Sequence, residues 1–278
     1  MTIETLAFGY GLVEGPRCDG EDNLYFSDVR NGGVYRRAPG GEITTVVPKR
    51  RGVGGIALHA DGGLVISGKN VAHVRAGETR VLFQRPDIPG FNDLFCDALG
   101  RVYTGSMRSD PFSTTGPRTP GECYRIDGEG RATELYGNVS LTNGIGFSPD
   151  GRRLYHADSV PRQIIVHDID RGGSVTNRQI FAQLAPGLAP DGLAVDEDGG
   201  VWVAVVDGGC VQRFTPQGAL DVRVDVPAKF VTSLCFGGTD RKDLYVVTAD
   251  NTDDAARRGT IFRTRSPHAG TPVHPARV

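Results

Sequence analysis

One phrase recurs along the chain and limits what it can fold into. A polar turn rich in Gly and Asp leads into a β-branched or aromatic strand. It appears as CDGEDNLYFS from Cys18 to Ser27, as HADGGLVIS from His59 to Ser67, and again from Cys96 to Thr104, Phe147 to His156, Val195 to Val203 and Phe236 to Val247. Copies spaced by roughly 40 to 50 residues have the period of a four-stranded propeller blade. Each is followed by a second turn and strand, as in Asn31 to Arg36 and Asp207 to Phe214, and no segment sustains a helical period. The expected fold is therefore all-β: a six-bladed β-propeller with four-stranded antiparallel blades, with residues 1–278 as a single domain. A β-sandwich with coincidental turns is the alternative, but sandwich strands need not come in repeats of this size. Residues Thr2 to Phe8 precede the first phrase, and the alternation Ile3, Thr5, Ala7 suits an edge strand that joins the last blade and closes the ring.

Composition narrows the function classes. The formal net charge is −2 and the basic residues are scattered, so a nucleic-acid partner is not expected. The first residues lack a basic and apolar leader, and no apolar run reaches about 18 residues, so no membrane role is expected and the location expected is cytoplasmic. The five cysteines are odd in number and form no CxxC pair, which reads as buried thiols and not as a disulfide framework or zinc site.

Aligning the repeats on their strand pairs (Leu24-Tyr25, Leu64-Val65, Val102-Tyr103, Leu154-Tyr155, Val201-Trp202, Leu244-Tyr245) places Glu14, Gly54, Asn92, Asn143, Asp191 and Thr232 or Ser233 at one register position, a ring about the axis. Oxygen-bearing side chains at one ring level point to a shared centre. Two carboxylates there would repel, and one would take a proton, unless a cation lay between them. Oxygen donors without His or Cys favour a hard divalent ion, Ca2+, Mg2+ or Mn2+, over a structural zinc. Taken singly, Glu14-Gly15, Asn143-Gly144 and Asp191-Gly192 also read as turn dipeptides. Between Met107 and Pro120 a stretch rich in Pro, Ser and Thr interrupts the third repeat and reads as a long loop, a lid over one mouth of the channel.

The phrases Glu14-Gly15-Pro16, Phe91-Asn92-Asp93 with Gly105-Ser106-Met107, Thr142-Asn143-Gly144, Pro190-Asp191-Gly192 and Cys235-Phe236-Gly237-Gly238, in this order, resemble the family of senescence marker protein (regucalcin), gluconolactonase and luciferin-regenerating enzyme. The resemblance implies a six-bladed propeller with one divalent metal ion, calcium first, with magnesium, manganese or zinc as alternatives. Its ligands would be Glu14, Asn143 and Asp191, and Asn92 would contact substrate. It implies a small-molecule lactone as substrate and Asp191 as the catalytic general base. Two recognition positions depart from the regucalcin pattern: Gly90 stands where an Arg is expected and Ser109 where a Glu is. The pocket should therefore favour a less hydroxylated lactone than gluconolactone, unless Arg108 or Arg118 of the loop restores the missing charge.

Other chemistries fit less well. His59, His73, His156 and His167 lie in or beside strands without a catalytic neighbour, and no serine sits in a Gly-x-Ser-x-Gly elbow. The rivals are a non-catalytic propeller binding calcium or a small ligand, and a paraoxonase-like esterase or phosphotriesterase.

Overall fold

The protein, described here by a computed structural model over residues 2–113, 116–249 and 258–278, contains six sheets of four antiparallel strands each, the six blades of a β-propeller. In the first five blades the strands follow chain order from the axis outward. The first blade, for example, runs Val13–Cys18, Leu24–Asp28, Val34–Arg37, Ile43–Val47. The innermost strands are Val13–Cys18, Ile56–Leu58, Gly90–Cys96, Thr142–Phe147, Ala189–Val195 and Val231–Gly237, and each touches its neighbours around the ring. All run the same way, so the channel has an upper mouth where they begin and a lower mouth where they end.

Burial explains the sequence pattern across a blade. Val201–Val206 (VWVAVV), second from the axis, is packed on both faces and reads as a continuous apolar run. The outermost strand of the fourth blade, Val175–Gln183, is mostly exposed and polar. Adjacent blades share cores: Tyr155 and Ile164 of the fourth meet Leu193 and Val203 of the fifth, whose Trp202 and Val211 meet Leu234 and Phe236 of the sixth.

The recurring Asp has a local cause. Asp19 Oδ1 accepts from the amides of Glu21 and Asn23, Asp97 Oδ1 from those of Leu99 and Arg101, and Asp196 Oδ1 from those of Asp198 and Gly200. This carboxylate closes the turn through its own backbone. Its second oxygen accepts from the aromatic residue of the next strand: Tyr25 Oη at 3.3 Å, Tyr103 Oη at 3.2 Å and Trp202 Nε1 at 2.8 Å, respectively. In these three copies the turn and the aromatic residue occur together because one carboxylate holds both.

Glu4–Tyr10 pairs antiparallel with Gly259–Arg265 and supplies the sixth blade with its outermost strand, closing the ring as the alternation of Ile3, Thr5 and Ala7 indicated. At this seam Cys18 and Cys235 Sγ lie 3.9 Å apart, and all five cysteines are buried and free. Beyond the last strand the chain crosses the lower mouth. Thr271 N donates to Val195 O, Ala276 N to Leu58 O and Arg277 N to Gly100 O, tying the tail to the lower parts of the fifth, second and third blades. Among the described residues no helix is long and apolar enough to cross a membrane.

Candidate functional site

Five innermost strands carry a register shift where the aligned positions fall. The shifts lie between Glu14 and Arg17, Phe91 and Leu94, Thr142 and Ile145, Pro190 and Leu193, and Val231 and Ser233. A bulge inserts a residue into one strand of a pair and turns a side chain away from the regular alternation, a device found beside active sites. Asn92, Asn143 and Asp191 all lie within these bulges and Glu14 at the edge of one. The second blade lacks a shift in its inner pair, and its aligned residue, Gly54, precedes the strand.

Asn143-Gly144 and Asp191-Gly192 thus lie inside strands and are not turns. The glycines answer to crowding between neighbouring inner strands: a Cβ on Gly144 would collide with the Leu193 amide, and one on Gly192 with Ser233. Gly54 likewise leaves room only for Asn92 Oδ1.

The polar groups form a connected set. Asn92 Nδ2 donates to Thr142 O at 2.8 Å and to Asn143 Oδ1 at 2.5 Å. Asn143 Nδ2 donates to Ser159 Oγ at 2.7 Å, and Ser159 Oγ donates to Pro190 O at 2.6 Å, one residue before Asp191. Burial, then the charges of Asp191 and Asp93, push Glu14 well above the usual carboxylate range. Asp191 is raised by burial and then by Asp93. Glu14 keeps partial exposure while Asp191 keeps 9%.

Asp93 and Arg17 were not among the expected site residues. Burial lifts Asp93 to about 6 against the opposing charge of Arg17. Arg17 spans three blades beneath, donating to Ile56 O at 3.0 Å and Leu94 O at 3.4 Å, with its guanidinium 4.6 Å from the centre of the Phe95 ring. Arg17 follows Glu14 in the same bulge, but nothing in its spacing marks it.

The expected recognition residues gather on the upper rim of the third blade, opposite the base of the inserted loop. Gly90 pairs with Met107, and a Cβ added at Gly90 would lie 3.5 Å from Met107 Cε. Arg108 is held by Glu122 at 2.6 Å and by Asp87 at 3.3 Å, and Ser109 Oγ accepts from Thr119 N at 2.8 Å. Arg118 turns back into its own loop and donates to Asp110 O, Pro111 O and Ser113 O. Phe112 reaches the first blade, with Arg30 Cζ 5.6 Å from its ring centre. Thr114 and Thr115, part of the expected lid, lie outside the described residues. Of the histidines, His156 lies behind the ring, between Tyr136 Oη at 2.8 Å and Thr142 Oγ1 at 2.7 Å. His59 and His73 stack on one another in the second blade, where His59 meets the C-terminal tail. A groove of about 880 Å³ between the fourth and fifth blades contains none of the ring residues.

A donor set of Glu14, Asn143 and Asp191 provides only oxygen atoms and two carboxylates that burial and mutual charge make costly without a counter-ion, which suits a hard cation. Among the described residues no group of three or more His, Cys, Asp or Glu side chains is arranged to hold a metal ion, and this set differs in using an amide as its third member.

The chain is 33% identical over 270 residues to a pentonolactonase of Haloferax volcanii, covering 91% of this chain and 89% of that one. Its structure is similar to that of a luciferin-regenerating enzyme, with a TM-score of 0.89, 26% identity and coverage of 100% and 99%. It also superposes on a calcium-binding protein, regucalcin, from Agrobacterium tumefaciens str. C58, with a TM-score of 0.86, 22% identity and coverage of 99% and 96%. The profile of the SMP-30/Gluconolactonase/LRE-like region matches residues 12–250, and the chain belongs to that family.

Proposed function

We propose that this protein is a metal-dependent lactonase whose divalent ion, calcium first, is held by Glu14, Asn143 and Asp191. The observation that carries the reading is the placing of these three side chains, with Asn92, at bulges on one level of the ring. The family match, the name of the pentonolactonase relative and the calcium-binding neighbour support it. A divalent ion held there supplies Lewis-acid polarisation of a carbonyl group and a more acidic water.

The chain's own residues supply the rest. Asp191 accepts the proton of the attacking water as its oxygen bonds to the lactone carbonyl carbon. The ring C–O bond then breaks, the departing oxygen takes up the proton that Asp191 accepted, and a hydroxy acid results with Asp191 again ionised. Both Asn92 Nδ2 hydrogens are engaged by Thr142 and Asn143, which leaves Oδ1 to accept from a substrate hydroxyl.

Substrate choice follows from what the rim withholds. Gly90 offers no side chain, Ser109 is engaged by Thr119, and Arg108 and Arg118 are held by protein partners. Phe112, 56% exposed, adds apolar surface. A site with few free hydroxyl partners discriminates poorly in favour of polyols. The preferred substrate is therefore a lactone with fewer hydroxyls than gluconolactone, such as an alkyl- or aryl-substituted γ- or δ-lactone.

The test is acid release over a panel of glucono-δ-lactone, a pentonolactone and an alkyl γ-lactone, with and without added Ca2+, Mg2+ or Mn2+. Metal analysis of dialysed Glu14→Gln and Asp191→Asn proteins completes it. Metal-dependent turnover, lost with the metal in both variants, is expected. Full occupancy and activity in both would remove the ring as the site, bound metal without turnover would indicate a binding protein, and a clear preference for gluconolactone would overturn the reading of Gly90.

A further inference from the structure

Ser159 opens the turn between the strands Arg153–Asp158 and Gln163–Ile169 of the fourth blade and is 8% exposed. The turn is anchored to the segment that enters the ring. Asp158 accepts from Ser140 N and Leu141 N, and Ser159 N donates to Leu141 O, two residues before Asn143. The Ser159 hydroxyl therefore has a fixed place between the fourth and fifth blades.

Its hydrogen-bonding capacity determines how Asn143 must lie. A serine hydroxyl has one proton. Pro190 O, 2.6 Å away, can only accept, so that proton is committed to it. Ser159 Oγ can then only accept from Asn143, and the amide nitrogen must face Ser159. The opposite orientation would set Asn143 Oδ1 against an oxygen with no proton to give, and Nδ2 against the Asn92 Nδ2 that now donates to Oδ1. Both neighbours select one orientation.

We propose that Ser159 is a positioning residue of the ring: it holds the Asn143 amide oxygen toward the ion and ties it to the backbone at Pro190, one residue before Asp191. One hydroxyl thus sets both the orientation of the ligand in the fourth blade and its spacing from the ligand in the fifth. This rests on the assignment of Glu14, Asn143 and Asp191 as ligands. Groups that orient ligands from behind commonly change metal affinity by about 10- to 100-fold when removed.

The experiment titrates Ca2+ and, separately, Mn2+ into the chelator-treated full chain by calorimetry, for the wild type, Ser159→Ala, Ser159→Thr and Glu14→Gln. Metal-free melting curves accompany each titration. Ser159→Ala is expected to bind about 10- to 100-fold more weakly with little change in metal-free melting, and Ser159→Thr, which keeps the hydroxyl, to regain most of the affinity. Should the alanine variant fail to fold, Ser159→Gly is the second hydroxyl-free protein. Wild-type affinity in a hydroxyl-free variant, or equal losses in the alanine and threonine variants, overturns the positioning role. Unchanged binding in Glu14→Gln overturns instead the ligand assignment on which it rests.

Discussion

His156 has no exposed surface and His167 keeps 2%, and the latter stacks on Tyr136 with ring centres 4.0 Å apart. Burial lowers His156 to about 3 and His167 to about 4, with nearby positive groups adding to the effect. Both stay neutral in the fold, whereas an unfolded imidazole gains its proton near 6.5. The unfolded chain therefore binds more protons below about pH 6.5, and stability present above that pH is lost as pH falls toward 4 and below. These two imidazoles lower the melting temperature as pH falls from 6.5 to 4, while the raised carboxyls of Glu14, Asp191 and Asp93 act the other way in the metal-free chain, so a histidine variant is needed to separate the two. Neither His167 ring nitrogen has a hydrogen-bond partner among the described residues, so His167→Phe keeps the stacked ring and leaves no polar group stranded. That variant should melt no lower than the wild type at pH 8 and higher at pH 5; a lower melting point at both would show that the imidazole is needed. Legibility at this scale follows register. Glu14, Asn92, Asn143 and Asp191 recur at one position of the repeat and could be read from spacing, whereas the choice of three of them as ligands is what the family resemblance implies. Ser159 sits in a turn off that register and meets Pro190 only when two blades pack, so its contacts are a product of the fold.

The bulges were hidden for a related reason. A bulge inserts one residue into one strand of a pair, and its trace in the sequence is a polar residue followed by glycine, as in Asn143-Gly144, which a turn also produces. Only the close approach of Gly144 to Leu193 separates the two cases. The closing strand was easier to read, since it stands ahead of the first repeat phrase, although its pairing carries two register shifts, between Thr5 and Ala7 and between Ala7 and Tyr10. Glu4–Tyr10 pairs with Gly259–Arg265, Arg263 bonds to Glu4 at 2.7 Å, and Thr264 Oγ1 donates to Thr2 O at 2.9 Å. Deleting residues 2–8 removes most of this pairing and exposes a strand edge. The truncated protein should melt several degrees lower, as followed by circular dichroism; an unchanged curve would mean that the strand adds nothing to closure.

At the scale of the molecule the repeat phrase predicted six blades, and in three copies one Asp both closes the turn and receives the hydrogen of the aromatic residue in the next strand, so that there the phrase and the packing are one constraint. The tail was not legible: residues 266–278 have no period, and they dock through backbone hydrogen bonds to Val195, Leu58 and Gly100 and through isolated side chains, with Ala276 and Val278 in the core of the second and third blades and His268 against Asp198. We propose that residues 1–278 fold as one unit, since first and last strands share a blade; calorimetry should show one unfolding transition, and two separate ones would divide the ring. The tail lies across the lower mouth, and Arg17 bonds across three blades above it. A lactone that reaches the ring by the upper mouth passes the loop that carries Phe112, and the hydroxy acid made there vacates the same site that the next lactone must occupy. Product should accordingly compete with substrate for that site, raising KM without lowering kcat in steady-state inhibition, and a non-competitive pattern would show that product also binds elsewhere.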